Sequence, residues 1–218
     1  MNYGIILAAG NGKRLEIKNP IKPLVIIKSK PLFYHSLSTF LNNKRVNEIV
    51  LVVNHKYRKA YSQYLSKHKL HKPIYVINGS DKARHLSLLI AINFLKNNKQ
   101  LNNDDIIITH DAARINVTNE LINASITTTK KYGYASTVLP LYDSLCEITN
   151  KSKYIERSHK YLVQTPQTFQ YKYWQEPKNT NHTTDLFTYL GLQVSKKHLV
   201  IGHWSNYKIT TKDDLVNI

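Results

Sequence analysis

A glycine-containing loop with two cations follows the first apolar run of the chain. Residues 5–7 lead into Gly10 and Gly12, and Lys13 and Arg14 come next. Glycine lets backbone N–H groups approach an anion because no Cβ stands in the way, and the cations add positive charge beside them. Such a loop can hold a polyphosphate. A tight turn with solvated cations is the alternative, and the loop is neither a G-x-G-x-x-G dinucleotide fingerprint nor a Walker A loop.

Two further polar loops also come directly after apolar runs. Residues 78–84 follow the run 74–77, and residues 110–114 follow the run 105–109. In open α/β sheets, ligands bind beyond the carboxyl ends of the strands. We therefore expect these two loops and the glycine loop to surround one crevice.

The elements that must position these loops alternate along the chain as far as residue 139. Short apolar runs predict strands, and helical spacing of apolar residues predicts the helices between them. This alternation predicts an α/β fold with a mostly parallel sheet and helices on both faces. The strands are predicted at 5–7, 24–27, 48–53, 74–77, 105–109 and 135–139, and the helices from Pro31, at 55–68, from about 86 to 94 and at 119–131.

The pattern changes after residue 139. Residues 140–168 contain short strand-like pieces, which predict a β-arm that projects from the main sheet and is a candidate dimer contact. The chain then returns through helices near 171–175 and from about 183, a strand at 199–202 and a terminal helix capped by Thr211. No repeat or linker marks a boundary, so residues 1–218 are interpreted as a single domain.

The composition restricts the class of partner and the compartment. The net charge is +17, from 31 Lys+Arg against 14 Asp+Glu, and implies a polyanionic partner unless it reflects genomic base composition. The single cysteine, Cys146, excludes an intrachain disulfide and a thiolate metal cluster. The apolar run 5–9 is too short for a signal peptide or a membrane span. We expect a soluble, cytoplasmic protein.

Taken together and in order, the motifs resemble the family of 2-C-methyl-D-erythritol 4-phosphate and D-ribitol-5-phosphate cytidylyltransferases. The resemblance covers nearly the whole chain. It implies a Rossmann-like, three-layer nucleotidyltransferase fold and transfer of CMP from CTP to an alditol phosphate, with a CDP-alditol and pyrophosphate as products. The matching pieces are Ala8, Ala9, Gly10, Gly12 and Arg14; Lys22; Arg84 and Ser87; residues 110–114; Asp143 and Ser144; Arg157; residues 164–167; Thr184 and Asp185; and residues 208–210.

The chemistry of this reaction agrees with the residue types present. A phosphate oxygen that attacks the α-phosphate of a nucleotide is already ionised at neutral pH, so no acid–base pair is essential. The protein must position two anions that repel each other and stabilise the charge at phosphorus, which requires cations and a divalent metal.

The resemblance also implies a role for each matching residue. Arg14, Lys22 and Lys208 would be catalytic, and Asp111 would lie near the ribose and hold Mg²⁺, a hard cation suited to oxygen ligands. Arg157 would come from the arm of a partner subunit in a homodimer. The nucleotide would be bound by Ala8, Ala9, Gly10, Gly12, Lys13, Gly79, Arg84, Ser87 and Asp111, and the alditol phosphate by Arg114, Ser144, Arg157, Thr165 and Thr184.

Each of these positions also has a purely structural interpretation. A buried or capping role explains the same residue types without a ligand. The alternatives are an ion pair of Arg114 with Asp111, a solvated Lys208, a helix N-cap at Thr184 or Asp185, a first-turn Ser87, a turn residue at Asp143 and a structural hydrogen bond from His110.

The loop after Gly79 departs from the family pattern. Strict counting from Gly79 gives Lys82 and His85, whereas a slightly longer loop gives Arg84 and Ser87 and brings the following apolar helix pattern into place. We prefer the longer loop. The choice affects base selectivity because lysine cannot replace the bidentate fork of arginine. The usual proline after the motif at 110–114 is replaced by an isoleucine, and the usual threonine at 144 by a serine.

Two other functions remain open from the sequence. The charge of +17 and the basic, tyrosine-rich segment 56–68 are compatible with a nucleic-acid-binding module, although a solvated helix face explains that segment more simply. The altered loop after Gly79 is compatible with a family member that binds nucleotide without turnover. The presence of Arg14, Lys22 and Lys208 favours the enzyme, with CTP and an alditol phosphate as partners and neither a membrane nor a nucleic acid.

Overall fold

A computed structural model describes residues 1–15, 21–150, 152–175 and 185–216 of the chain. Its strands are β1 (Asn2–Ala8), β2 (Ile26–Ile27), β3 (Lys30–Pro31), β4 (Glu48–Asn54), β5 (Ile74–Gly79), β6 (Ile106–Asp111), β7 (Tyr134–Pro140), β8 (Leu145–Ile148), β9 (Ser152–Ile155), β10 (Tyr161–Gln170) and β11 (Leu199–Ile201). Its α-helices are α1 (Leu32–Asn42), α2 (Arg58–Ser66), α3 (Arg84–Asn98), α4 (Asn119–Tyr132), α5 (Leu186–Tyr189) and α6 (Asp213–Val216).

A seven-stranded sheet in the order β11-β7-β10-β6-β1-β4-β5 forms the centre of the molecule. β1 pairs in parallel with both β4 and β6, and β4 pairs in parallel with β5. β10 is antiparallel to its neighbours β6 and β7. The prediction of a mostly parallel sheet is therefore confirmed.

Apolar side chains cover both faces of this sheet. Ile6 of β1 belongs to a cluster with residues of α1, α2 and α4, whereas the adjacent Ile5 belongs to a second cluster with residues of α3 and α5. Successive residues of a strand point to opposite faces, so a strand covered on both sides needs a continuous apolar run, as in β4. The three-layer architecture expected from the sequence is confirmed.

Several element boundaries differ from the sequence-based expectations. Residues 24–27 form a strand only at Ile26–Ile27, because Pro23 lies in a 3-10 turn that ends at Leu24. The helix expected at 55–68 begins with a 3-10 turn and ends at Ser66, and the helix expected near 171–175 is the 3-10 turn Tyr171–Tyr173.

The arm is shorter than the segment 140–168. β8 and β9 form a separate two-stranded hairpin, whereas β10 belongs to the main sheet, with an irregularity between Val163 and Gln167. On the hairpin, Ile148 and Tyr154 are 78% and 77% exposed. Within the described parts of the chain, no helix combines the length and the hydropathy that crossing a membrane would require.

Candidate active site

A cavity of about 250 Å³ opens at the carboxyl ends of β1, β5 and β6. The three loops expected to surround one crevice do line it together, and two lysines from distant parts of the chain complete the wall. Its lining includes Ala8, Ala9, Gly10, Gly12 and Arg14; Lys22; Ser80, Asp81, Lys82, Ala83, Arg84 and Ser87; Asp111, Ala112 and Ala113; and Lys208.

Asp111, the last residue of β6, is held between two cations. Its Oδ1 accepts a hydrogen bond from Nε of Arg84 at 2.7 Å, and its Oδ2 accepts one from Nζ of Lys208 at 2.7 Å. Burial by itself would raise the pKa of Asp111, but the charges of Arg84 and Lys208 outweigh it and hold the pKa well below its usual value. The carboxylate is therefore ionised throughout the physiological range.

Lys22 lies in the same group of charges. Its ammonium donates to the carbonyl oxygen of Ile209. Burial, followed by repulsion from Lys208 and Arg14, lowers the pKa of Lys22 to about 8. An anion bound among these cations would relieve the repulsion, so the local electrostatics favour a polyanionic ligand.

The glycines of the site differ in what a side chain at each position would contact. Gly12 has a φ of 65°, and a Cβ at this position would lie 2.4 Å from Cβ of Lys22. A Cβ on Gly79 would lie 2.5 Å from Cγ1 of Val52, so this glycine is required by packing behind the cavity. Gly10 has no heavy atom within 4 Å of its Cβ direction. Lys13 begins the 3-10 turn that follows the loop.

The loop after β5 is fixed by Ser87. The Ser87 hydroxyl donates to the carbonyl of Ser80 at 2.8 Å and accepts from the N–H of Ser80 at 3.0 Å. Arg84 is the first residue of α3, whereas the ring of His85 lies 5.3 Å from that of Tyr189. Arg84 and Ser87 thus both line the cavity, as the longer-loop alignment predicts, and Lys82 lines it as well.

A second cavity, of about 190 Å³, adjoins the first. The two cavities share Arg84, Asp111 and Lys208. The ion-paired cluster therefore lies where the cavities meet, in contact with both. The other residues of the second cavity are Arg114, Val163, Gln164, Thr165, Gln167 and Asp185.

Arg114 is held by the backbone of the second cavity. Its Nη1 donates to the carbonyl of Asn206 at 2.8 Å and its Nη2 to that of Val163 at 3.3 Å. Among the described contacts, no ion pair joins Arg114 to Asp111, so the structural alternative considered for this pair does not apply. Asp185 is a helix N-cap as well as a wall residue, because its Oδ1 accepts from the N–H groups of Phe187 and Thr188.

Two of the expected alditol-phosphate residues do not line these cavities, and a third cannot be compared with them. Ser144 is exposed at the foot of the hairpin, and Arg157 donates to the carbonyl of Tyr142 on the same arm. Neither lines the two cavities. Thr184 lies outside the described residues.

A chain of polar side chains at the rim was not expected from the sequence. Asn54, at the end of β4, donates to Oδ1 of Asn11 at 2.9 Å, and Asn11 donates to Oδ2 of Asp81 at 3.3 Å. These contacts connect the glycine loop to the loop after β5. The sequence could have indicated these three residues, because each lies at or just beyond the carboxyl end of a strand, where ligands bind in such sheets.

Known proteins resemble this chain over nearly its whole length. The chain matches the model described as "IspD: 2-C-methyl-D-erythritol 4-phosphate cytidylyltransferase" over residues 3–218. A relative of that name from Thermosipho melanesiensis is 35% identical, covering 99% of this chain and 95% of its own. A relative of the same name from Clostridium kluyveri is 32% identical, covering 99% of this chain and 94% of its own.

Solved structures agree with the fold. 4-Diphosphocytidyl-2C-methyl-D-erythritol synthase from Anaerococcus prevotii superposes with a TM-score of 0.79 at 24% identity, covering 100% of this chain and 93% of its own. The 2-C-methyl-D-erythritol 4-phosphate cytidylyltransferase of Francisella tularensis gives a TM-score of 0.75 at 25% identity, covering 99% of this chain and 97% of its own. The chain therefore belongs to the 2-C-methyl-D-erythritol 4-phosphate cytidylyltransferase family.

Proposed function

We propose that this chain transfers CMP from CTP to 2-C-methyl-D-erythritol 4-phosphate, giving the CDP-alditol and pyrophosphate. Family membership supports the reaction. The observation that carries it in the structure is the cluster of Arg84, Asp111 and Lys208 at the junction of two cavities. A transferase that joins two anions needs two adjacent sites with cations between them.

The larger of these two cavities would bind CTP. The backbone of the loop at Gly10 and Gly12 would face the phosphates, with Arg14 and Lys22 supplying charge. The loop after β5, fixed by Ser87, would lie on the base side. Ala8, Ala9 and Arg84 line this cavity and Gly79 packs behind it, and they complete the proposed nucleotide site. Lys13 remains a proposed contact of the nucleotide.

The second cavity would bind the alditol phosphate. An ionised oxygen of its phosphate would attack the α-phosphorus of CTP, forming one P–O bond while the bond from the α-phosphorus to the bridging oxygen breaks and pyrophosphate leaves. Lys208 contacts both cavities, so its charge can stabilise the oxygens of both substrates as the reaction proceeds. Arg114 and Thr165 would contact the acceptor, and Thr184 remains a proposed contact.

Asp111 would hold Mg²⁺. Among the described residues there is no group of three or more metal-ligating side chains, so the protein alone offers no complete cage. Mg²⁺ typically takes one or two carboxylates and completes its shell with substrate phosphates and water, and an ionised Asp111 fits that role. When bound, the metal would neutralise charge on the triphosphate.

The arm would complete the site of a second copy. Arg157 and Ser144 lie outside both cavities of their own chain, while Ile148 and Tyr154 of the hairpin are strongly exposed. A homodimer would cover these apolar side chains and bring the arm residues to the partner's acceptor site.

Subunit mixing tests this dimer. The Lys208→Ala and Arg157→Ala variants should each be nearly inactive. Lys208→Ala removes a cation from the site of its own subunit, and Arg157→Ala removes an arm residue that would enter the site of the partner subunit. Mixed dimers contain one site with both residues, so activity should return on mixing. An inactive mixture, or a monomer at assay concentrations by sedimentation, would contradict the arm proposal and leave the proposed reaction intact.

A pyrophosphate-release panel tests the reaction. CTP, UTP, ATP and GTP are each combined with 2-C-methyl-D-erythritol 4-phosphate or D-ribitol 5-phosphate, with and without Mg²⁺. We expect turnover with CTP, the methylerythritol acceptor and Mg²⁺, and a large loss in Lys22→Ala. Preference for ribitol phosphate would assign the other acceptor. CTP binding without turnover would favour the nucleotide-binding alternative.

A further inference from the structure

The guanidinium group of Arg84 is only partly used by the protein. Its Nε donates to Oδ1 of Asp111 at 2.7 Å, and among the described contacts this is the hydrogen bond that the side chain makes. Nη2 is buried and has no hydrogen-bond partner. Because an arginine carries N–H donors on all of its guanidinium nitrogens, both terminal nitrogens of Arg84 have donors left for another group.

The unpaired nitrogen is not explained by the contact with Asp111. Burying a donor without an acceptor costs stability, and most buried polar groups of native proteins are paired. An arginine that only neutralised a carboxylate would gain most from a bidentate contact with both of its oxygens. Here Lys208 donates to Oδ2 of Asp111 at 2.7 Å, and Arg84 bonds Oδ1 alone. Nη1 and Nη2 of Arg84 therefore form a free fork of N–H donors.

The free fork lies near the junction of the two cavities. Arg84 begins α3, after the loop that follows β5, but its guanidinium is bonded to Asp111 at the end of β6. β4 and β1 lie between β5 and β6, and neighbouring strands are about 4.8 Å apart. The side chain thus extends from the base-side loop towards β6, and Arg84 lines both cavities.

Phosphate is the chemical group that fits this position. In the proposed reaction, the phosphate of the acceptor and the α-phosphate of CTP are the groups that meet at the junction. Two N–H donors in one plane match two phosphate oxygens, which a lysine ammonium cannot do. The pair of cations around one carboxylate also leaves this cluster with an excess of positive charge for an anion.

We infer that Arg84 is a catalytic residue whose terminal nitrogens bind the two reacting phosphates, and not a residue that selects the base. The inference rests on the proposed function and deepens it. As the acceptor oxygen bonds to the α-phosphorus and pyrophosphate leaves, negative charge is spread over the oxygens of that centre, and the fork stabilises it. Asp111 holds Arg84 through Nε, so the fork is already oriented before the substrates bind.

Arg84→Lys separates the fork from the charge. Lysine keeps a cation that can pair with Asp111 but has no planar fork. We expect kcat to fall by about 10²-fold, the effect of losing one oriented donor at the reacting centre. The Kd of CTP, measured by calorimetry without acceptor, should change by less than about threefold. If Arg84 served only to hold Asp111, lysine would replace it with kcat nearly unchanged, and that result would overturn the inference.

Nucleotide selectivity distinguishes the fork from a base contact. CTP and UTP are compared in wild type, Arg84→Lys and Ser87→Ala. The ratio of kcat/KM for CTP to that for UTP should be the same in wild type and Arg84→Lys. Ser87→Ala changes the base-side loop, so it should instead raise KM for CTP with little change in kcat. A ratio that falls in Arg84→Lys would assign the guanidinium to the base and contradict the inference.

Free guanidinium ion tests the chemistry of the fork. At concentrations that leave the fold intact by circular dichroism, guanidinium chloride should restore part of the kcat of Arg84→Ala, and the same concentration of ammonium chloride should not. Arg58→Ala is the matched control, because Arg58 also begins a helix but is exposed, and it should keep the kcat of wild type. Equal restoration by both salts would indicate charge alone and contradict the fork. Arg84→Lys carries the test if Arg84→Ala does not fold.

The proposed function fails separately. If wild type does not turn over CTP with the acceptor, the reaction is wrong and the inference is wrong with it. If wild type turns over and Arg84→Lys keeps its kcat, the reaction stands and the inference alone is wrong.

Discussion

Gly12 and Lys22 are so close that a Cβ on the glycine would lie 2.4 Å from Cβ of the lysine. Because Gly12 also has a φ of 65°, a side chain there would be strained even with free space around it. The absence of a side chain at Gly12 therefore allows both the conformation of the loop and the position of Lys22 beside it.

Replacing this glycine should displace the lysine. We expect Gly12→Ala to lower kcat/KM for CTP by at least about tenfold, since shifts of about 1 Å in a positioning group can cost much of the rate. Gly191→Ala is the matched control, because Gly191 has the same φ of 65° but nothing within 4 Å of its Cβ direction. Both variants should lose stability, and only the first should lose activity. Equal kinetics in the two would contradict this role of Gly12.

Removing the charge of Asp111 should weaken the fold as well as the reaction. Asp111→Asn leaves Arg84 and Lys208 without their carboxylate, and we expect a loss of about 3 kcal/mol in the free energy of unfolding at pH 7. Asp104→Asn is the control, since Asp104 is 78% exposed in its pair with Lys172 and should cost about 0.5 kcal/mol or less. Urea denaturation measures both, and similar losses would rule out a special role for the Asp111 cluster.

The difference in unfolding free energy between wild type and Asp111→Asn should depend on pH, and the lowered pKa of Asp111 determines the direction. A carboxyl whose pKa is lower in the folded state stabilises the protein above its unfolded pKa and loses that contribution as pH falls through the folded pKa. The stability advantage of wild type over Asp111→Asn should thus be complete at pH 7 and shrink below about pH 4. An advantage that grows on acidification would contradict the ion-pair assignment.

The lowered pKa of Lys22 should appear in the kinetics. Above about pH 8 the free enzyme loses the Lys22 proton, so kcat/KM for CTP should fall as pH rises from 7.5 to 9.5. Lys22→Arg keeps its charge over this range and should give a flatter profile, even if its rate is lower. A profile with the same alkaline fall in Lys22→Arg would assign that fall to another group.

Lys22 should also lower the stability of the protein without ligand. The unfolded chain holds this proton up to a pKa near 10.5 while the folded state releases it near 8, so stability should rise with pH between these values. Lys22→Met should therefore be more stable than wild type at pH 7 and much less active, which thermal melting and the assay would show together. A melting temperature below that of wild type would contradict this.

Ser87 should affect nucleotide binding through the loop that it fixes. Ser87→Ala removes two hydrogen bonds to Ser80, so we expect a loss of about 1–2 kcal/mol in stability and a raised KM for CTP. Ser125→Ala is the control, because its hydroxyl is equally buried but bonds the carbonyl of Leu121 within α4. A raised KM in both variants would indicate a general loss of rigidity instead.

The sequence predicted that three polar loops meet in one crevice, because the order of strands and loops determines this much. Each polar loop followed a buried strand, and parallel strands bring such loops to one edge of the sheet. The resemblance added Lys22 and Lys208, which no local pattern connects. Lys22 and Lys208 are close because Ile209, the residue after Lys208, bonds to both sides. Its N–H donates to the carbonyl of Ala113, and its carbonyl accepts from the ammonium of Lys22.

The burial of part of β10 and one contact at the rim depend on tertiary contacts, which the pattern of apolar residues in the sequence does not predict. The segment 164–168 of β10 is polar yet buried, because Gln164 bonds the carbonyl of His203, Gln167 bonds Asp185 and Thr168 bonds Thr129. Its composition therefore did not identify a central strand. The contact of Asn11 with Asn54 likewise required knowledge of the register between β1 and β4.

The identity of the product tests the central claim most directly. Wild-type protein is incubated with CTP, Mg²⁺ and 2-C-methyl-D-erythritol 4-phosphate, and the mixture is followed by ³¹P NMR. We predict two mutually coupled resonances of a new P–O–P linkage, formed in equal amount with inorganic pyrophosphate. Hydrolysis of CTP without a CDP-alditol, or no reaction by folded protein that binds CTP, would contradict the account.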